Sequence, residues 1–219
     1  MEQVVNEEFE CQSWEEQLGD VADEPALCES IPDFIVANIK KLKETENTTL
    51  RQIAQKYTFP LSYDEVRDLC RLKMKFQKDD QYFSMSMPQL GYPKRGIIYF
   101  MPKYIKKIEP KDKHPTYMLL NPTYEPVEGT EVLVDYEKCA SVKSLCGLVP
   151  RYNEIRYKAY NPFGELEEGT IHGHTARCIQ HEIDHLNGLL FIDKAQHIIT
   201  IKEHRWRRSI GKLQFLMDI

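Results

Sequence analysis

The chain has 219 residues, 42% of them hydrophobic, and a formal net charge of −5. This length suits one domain with a hydrophobic core, and the negative charge argues against a nucleic-acid-binding surface. The chain has no apolar run of about 18 residues, so no membrane span is predicted, and no secretory signal opens the chain. Six cysteines lie scattered without a Cys-x-x-Cys pair. We therefore expect reduced thiols, of which at least one is available to bind a metal ion.

The first two predicted segments precede the core. Residues 1–30 are acidic and weakly patterned, which predicts a mobile arm or a docking segment. Such a start is the opposite of an Arg-rich organelle presequence, so we expect a presequence to be absent or removed. Residues 31–61 are predicted to form a helical extension. Its helices are expected at Ile31–Lys43, from the spacing of apolar residues, and at Thr48–Tyr57.

The predicted core spans residues 62–195 and begins with a helix. Ser62-Tyr63-Asp64-Glu65 fits a capping box, in which the Ser and Glu side chains satisfy backbone N–H groups at the helix start. Apolar residues then recur at helical spacing, namely Val66, Leu69, Leu72 and Phe76. This pattern predicts a helix that packs one face against the core.

Short apolar runs bounded by Pro, Asn and Gly predict strands in the middle of the chain. The predicted strands are Gly96–Met101, Thr116–Leu120, Glu131–Tyr136 at a sheet edge, and Arg151–Asn161 with Glu165–Glu167 as its hairpin partner. Asn121-Pro122 predicts a turn.

A long helix is predicted from Thr175 to Asn187, closed by Gly188 in a left-handed conformation. Residues 196–219 are expected to form a basic helical tail. The order of elements predicts an α+β fold, with antiparallel or mixed strands packed around a central helix and with N-terminal and C-terminal helices.

The predicted long helix contains the HExxH pattern His181-Glu182-Ile183-Asp184-His185. Histidines four positions apart lie on one helix face, where both can bind one divalent metal ion. Glu182 lies about 100° around the helix from His181, close enough to act on water at the metal without being a ligand. A surface helix with two solvated histidines fits the same pattern, so the pattern alone leaves both interpretations open.

A catalytic metal site needs a third protein ligand and an open position. Downstream candidates are Asp193, His197 and His204, each equally compatible with an ordinary surface residue, and such a ligand would indicate a zinc metalloprotease. The upstream candidate is Cys139, which follows the predicted edge strand.

Several motifs together resemble the peptide deformylase family, from about Val66 to Asp193. They are Glu137-x-Cys139-x-Ser141, Gly147-Leu148-Val149-Pro150-Arg151, and the run Ala176–Asp193 that holds the HExxH pattern. Pro88-Gln89-Leu90-Gly91 fits the end of the family's first motif, GxGLAAxQ.

The resemblance implies that Cys139, His181 and His185 hold one divalent metal ion, with water in the fourth position. Ferrous iron is the expected physiological ion, and Ni²⁺, Co²⁺ or Zn²⁺ suits the same ligands. Glu182 is then expected to take a proton from the metal-bound water and to deliver it to the leaving amine.

The resemblance also implies roles for the residues around this centre. The side-chain amide of Gln89 and the backbone N–H of Ala140 are expected to stabilise the oxyanion. Glu137 and Arg151 are expected to pair behind the metal ligands and support them. The implied reaction is hydrolysis of the N-formyl group of N-formyl-methionyl nascent peptides, giving formate and a free amine.

Both walls of the expected peptide groove depart from the family. Tyr82-Phe83-Ser84-Met85-Ser86-Met87 replaces GxGLAA, so Ser84 stands in place of a glycine beside Met85. In the opposite wall Lys138 replaces a glycine and Ala140 a larger apolar residue. We expect these four groove residues to contact substrate. The side chains that replace glycines are expected to narrow the groove, or at Ser84 to penalise a backbone with positive φ, or at Lys138 to attract a carboxylate. The alternative function is a diverged deformylase-like metalloprotein with another N-acyl substrate, or with a peptide-binding role and weak or no turnover.

The expected partners are formylated nascent peptides, with the ribosome as a further candidate and without a nucleic-acid or membrane partner. Formylated starts arise in bacteria and in eukaryotic organelles. The divergent motifs and the terminal segments favour a mitochondrion, with the bacterial cytoplasm as the alternative.

Overall fold

The computed structural model describes residues 48–78, 83–100 and 116–205. The predicted acidic arm, the helix at Ile31–Lys43 and the end of the C-terminal tail lie outside these ranges. Within them, helices pack on two antiparallel sheets, which confirms the predicted α+β class. No helix in these ranges is long and apolar enough to cross a membrane.

The elements are numbered in chain order. The α-helices are α1 Tyr63–Lys78, α2 Gly173–Leu186 and α3 Phe191–Lys194, and residues 201–205 are also helical. The strands are β1 Ser84–Ser86, β2 Gly96–Phe100, β3 Thr116–Pro126, β4 Val132–Cys139, β5 Val142–Tyr152, β6 Glu154–Tyr160, β7 Leu166–His172 and β8 His197–Thr200. Short 3₁₀ helices occupy Thr48–Arg51 and Met87–Leu90.

The larger sheet has the strand order β1-β2-β3-β6-β7, and the smaller has the order β4-β5-β8. β4 pairs with β5 alone among the strands described, so the predicted edge strand is confirmed. The β4–β5 hairpin is tight, because Cys139 at the end of β4 pairs with Val142 at the start of β5. This turn places Cys139 close to His181 and His185 of α2.

α2 is the central helix of the fold. Its apolar residues recur at helical spacing and pack against buried residues of the larger sheet; they are Ala176, Ile179, Ile183 and Leu186. Full burial of an isoleucine or leucine side chain stabilises a fold by about 1.5–3 kcal/mol. The opposite face of α2 carries the polar residues His181 and His185 of the HExxH pattern.

Both predicted helix boundaries with a capping signal are confirmed. At the start of α1, the backbone N–H of Ser62 donates to the Glu65 carboxylate (2.9 Å) and the N–H of Glu65 donates to the Ser62 hydroxyl (3.3 Å). After α2, Gly188 adopts φ 73°. A Cβ at Gly188 would also lie 2.8 Å from the carbonyl oxygen of Arg51, so both conformation and space favour glycine there.

Two helix predictions are wrong for the same reason, because backbone groups there form hydrogen bonds with segments distant in the sequence instead of within a helix. In Thr48–Tyr57 only Thr48–Arg51 is helical, since the N–H groups of Ala54 and Gln55 donate to Leu186 and Pro93. The predicted helical tail begins instead with β8, whose residues pair with β5.

The turn predicted at Asn121-Pro122 is a bulge inside β3. Asn121 has φ 51°, and the pairing of β3 with β6 shifts register between Leu120 and Thr123. The Asn121 side chain binds both backbone groups of Tyr57, which holds the bulge. The predicted strand Arg151–Asn161 is divided, because Arg151 belongs to β5 and β6 begins at Glu154.

We expect Gly188→Ala to destabilise the protein more than Gly129→Ala. Both glycines have positive φ, but a Cβ at Gly129 meets nothing within 4 Å. The control should therefore lose only the cost of a left-handed alanine, about 1 kcal/mol, and Gly188→Ala should lose at least about 1 kcal/mol more. Urea unfolding of both variants measures the difference, and equal losses would contradict the close approach to Arg51.

Candidate metal centre

Three metal-binding side chains meet where the β4–β5 turn faces α2. The ligand atoms of Cys139, His181 and His185 all lie within 4.8 Å of one another, the one such cluster of three found in the described ranges. Cys139 Sγ lies 3.3 Å from His185 Nε2. Cys139 and His185 are buried, and His181 is half-buried beside the groove. The structure thus brings the three predicted ligands together.

The second ring nitrogen of His181 shows how this cluster suits a metal ion. His181 Nδ1 lies 2.9 Å from the carboxylate of Glu137. This contact fixes the ring and leaves Nε2 as the nitrogen available to bind a metal ion. One thiolate and two imidazoles suit a divalent transition-metal ion. The residues present therefore fit the metal that the sequence predicts, and the donor set admits iron, nickel, cobalt or zinc.

The downstream candidates for a third ligand lie outside this cluster. Asp193 forms an ion pair with Arg51 and accepts a hydrogen bond from the N–H of Leu190. His197 is exposed on β8. His204 packs its ring edge against Tyr136, with 4.6 Å between centroids. The zinc metalloprotease alternative, which needs one of these residues, has no support in this geometry.

A buried carboxylate stands behind the metal ligands, as predicted. Glu137 accepts two hydrogen bonds from Arg151, of 2.8 and 2.9 Å, and one of 2.8 Å from Arg177. Burial opposes its ionisation, but the hydrogen bonds from Arg151 and His181 outweigh burial and hold the pKa of Glu137 far below its ordinary value. Glu137 is therefore charged at neutral pH and orients His181.

The hydrogen-bond network continues from Arg151 to a second carboxylate on α2. Arg151 also binds the carboxylate of Asp184, whose other oxygen accepts from Lys194. The side chains of Arg151 and Asp184 are 2% and 4% exposed, so each charge needs its partner. Removing one partner of a buried pair typically costs about 3–5 kcal/mol.

Glu182 is buried beside the cluster, at the position expected for the general base. Burial raises the pKa of its carboxyl, while the neighbouring His181 and a hydrogen bond from Ser84 oppose the shift. The hydroxyl of Ser84 donates to Glu182 Oε1 at 2.8 Å. A raised pKa lies closer to neutral pH, so the carboxylate accepts and returns a proton more readily.

Gln89 and Ala140, the predicted oxyanion donors, both lie next to Cys139. Gln89 is buried, and its Nε2 lies 3.6 Å from Cys139 Sγ and 3.3 Å from the Ser141 hydroxyl. Its Oε1 accepts hydrogen bonds from the N–H and hydroxyl of Ser86, which turns the amide N–H groups toward the centre. Ala140 follows Cys139 in the turn and lines the groove.

A groove of about 980 Å³ runs over these residues. The four predicted substrate-contact residues all border it, with Ser84 and Met85 on one wall and Lys138 and Ala140 on the other. The Met85 side chain, however, is 1% exposed and packs in the hydrophobic core against residues of α1. Lys138 is exposed and Ser84 is half-buried.

Other residues line the groove that the sequence did not predict as substrate contacts, although His204 was considered as a metal ligand. They are Phe83, Asp135, Tyr136, His174, Arg177, Cys178 and His204. Helical spacing indicates part of this set, because His174, Cys178 and His181 fall at i, i+4 and i+7 on the metal-binding face of α2. Phe83 stacks on Phe100 with 4.9 Å between ring centroids, which forms an aromatic rim above His174.

We expect Glu137→Gln to weaken metal binding by about ten- to a hundredfold, because residues that orient metal ligands typically have effects of this size. Titration of the protein with Co²⁺ against a coloured chelator measures the affinity. Glu168→Gln is the matched control, since Glu168 forms an exposed ion pair with Lys158 across β6 and β7 and does not line the groove. Equal affinities in the two variants would contradict the orienting role of Glu137.

Comparisons with known proteins agree with this geometry. The polypeptide deformylase family model matches residues 39–200. Peptide deformylase 2 of Rickettsia conorii is 38% identical over 181 residues, which cover 80% of this chain and 89% of the relative. The peptide deformylase of Caldicellulosiruptor bescii is 33% identical over 177 residues, covering 79% and 95%.

Solved structures show the same fold. A Synechococcus elongatus peptide deformylase in complex with actinonin matches with a TM-score of 0.60 and 26% identity, covering 71% of this chain and 78% of that chain. A class I type b peptide deformylase from Acinetobacter baumannii, bound to Met-Ala-Ser, matches with a TM-score of 0.57 and 26% identity, covering 70% and 96%. By family model, sequence identity and fold, the chain belongs to the polypeptide deformylase family.

Proposed function

We propose that the chain is a metal-dependent amidohydrolase that removes the N-formyl group from the N-terminal methionine of nascent polypeptides. The observation that carries the proposal is the Cys139, His181 and His185 cluster beside the buried carboxylate of Glu182, at the base of an open groove. Membership of the deformylase family supports the formyl group as the target.

The chemistry divides between the metal and the residues around it. A divalent ion held by Cys139, His181 and His185 supplies Lewis acidity, which makes water a nucleophile near neutral pH. Glu182 accepts the proton of the attacking water and later delivers it to the leaving amine. Both transfers use one carboxylate, so the attacking water and the amine nitrogen must both lie within its reach.

Charge develops on the formyl oxygen as water attacks. The side-chain amide of Gln89 and the backbone N–H of Ala140 donate hydrogen bonds to that oxygen. Ser86 holds the Gln89 amide so that its N–H groups already face the centre before substrate arrives. The aromatic rim at Phe83 provides apolar groove surface, which suits a methionine side chain.

Three finer points belong to the same proposal. Ferrous iron is the proposed physiological ion, and activity after loading with Fe²⁺, Ni²⁺ or Zn²⁺ ranks the candidates. A mitochondrial location is proposed from the divergent groove motifs and the terminal segments, and imaging of the tagged full chain tests it. Ribosome association is proposed from the nascent substrate, and co-sedimentation with ribosomes tests it.

Metal-loaded wild-type protein is expected to release formate from formyl-Met-Ala-Ser. Glu182→Ala should lower kcat by about 10²–10⁴-fold, because a general base typically contributes that much. Metal content by elemental analysis should stay equal in both proteins, since Glu182 is not a ligand. Turnover by the Ala variant at the wild-type rate would contradict the role of Glu182, and no turnover by wild type at any loading would contradict the proposed function.

Cys139→Ala is expected to lose metal along with activity, because one of three protein ligands is removed. Cys146→Ala is the matched control, since Cys146 is a buried free cysteine on β5 outside the cluster. Elemental analysis after dialysis measures retention. Full metal retention by Cys139→Ala would instead support a downstream ligand and a metalloprotease.

A further inference from the structure

The Ser84 hydroxyl contacts the general base without taking part in the steps above. It donates a hydrogen bond of 2.8 Å to Glu182 Oε1, from a residue distant in sequence. In the motif that this segment resembles, the same position is a glycine, which has no side chain to donate. The bond is therefore a feature of this chain's own sequence.

The backbone at Ser84 accepts a side chain without strain. Ser84 is the first residue of β1 and pairs with Tyr99 in β2, and its conformation is extended. The non-glycine residues with positive φ in the described ranges are Asn121 and Ser144. Replacing the family's glycine therefore carries no backbone penalty at this position.

Strand geometry places two serines over the proposed machinery. Side chains alternate along a strand, so Ser84 and Ser86 share one face of β1 and Met85 lies on the other. Ser86 binds Gln89 Oε1, and Ser84 binds Glu182 Oε1. One short strand thus orients both the oxyanion donor and the general base.

The two oxygens of the Glu182 carboxylate have different surroundings. Oε1 accepts a well-formed hydrogen bond from Ser84, whereas Oε2 is buried and makes no hydrogen bond of ordinary geometry to the residues that the structure describes, although Ser86 lies close enough to the carboxylate to favour its ionised form. The terminal torsion of a glutamate is soft and broad, so an unheld carboxylate samples many rotations. A donor on one oxygen selects one rotation and leaves the other oxygen for proton transfer.

We propose that Ser84 is a positioning residue, whose hydroxyl holds Glu182 Oε1 so that Oε2 receives the proton of the attacking water. This role rests on the proposed function, because it acts through the general base. In this role, the serine that replaces the family's glycine assists the reaction instead of narrowing the groove.

Kinetics of three variants test the role with formyl-Met-Ala-Ser. Ser84→Ala and Ser84→Gly both remove the donor, and each should lower kcat about tenfold or more while KM changes less than about twofold. Ser84→Thr keeps the hydroxyl on a residue that strands favour, and it should retain most of the activity. Equal metal content in all four proteins shows that the centre is intact.

The glycine variant decides between assistance and obstruction. If the serine side chain obstructs the groove, Ser84→Gly should raise activity, and that result would overturn the proposal. An Ala variant with wild-type kcat would overturn it as well. Absence of turnover by the wild-type protein is a different outcome, which overturns the proposed function and this role together.

A second measurement does not depend on turnover. Crystal structures of metal-loaded wild type and Ser84→Ala should show the Glu182 carboxylate in one orientation in the wild type and in several in the variant. A Ser84 hydroxyl turned away from Glu182 in the wild type, or an identical single orientation in both proteins, would overturn the proposal.

Discussion

The carboxylate of Glu137 is the interaction on which the rest of the centre depends. It receives hydrogen bonds from Arg151 on β5 and from Arg177 and His181 on α2, while it sits itself near the end of β4. The smaller sheet and the central helix are thus joined by one buried charge. Its hydrogen bonds keep it ionised despite burial, so the same group that fixes the relative position of two elements also fixes a metal-binding ring.

Three residues of the centre, namely His181, Gln89 and Glu182, each make a hydrogen bond to a side chain that has no direct role in the reaction. Glu137 orients His181, Ser86 orients Gln89 and Ser84 contacts Glu182. Such arrangements lower the reorganisation needed in the transition state, because the groups already point where charge will develop. The chain is a deformylase-family enzyme in which part of this support comes from residues that differ from the family motif.

The sequence was sufficient for features encoded by nearby residues and insufficient for features set by distant ones. The capping box at Ser62, the spacing of His181 and His185, and the left-handed Gly188 are local patterns, and each was predictable. Cys139 as a metal ligand followed only from a motif, since no local pattern links it to α2. β8 and the extended backbone near Ala54 depend on pairing with remote segments. The bond from Ser84 to Glu182 is of this second kind, so from the sequence Ser84 was predictable only as a wall of the groove.

The tight turn between β4 and β5 has a consequence for stability. Cys139 lies in that hairpin and the two histidines lie on α2, so an ion bound to all three closes the long stretch of chain between them. Such a closure removes conformational freedom from the unfolded chain in the manner of a cross-link. The stability of the protein is then linked to the free concentration of its metal, rising as RT ln(1 + [M]/Kd). In a compartment poor in that metal, the abundance of the folded enzyme and its activity would fall together.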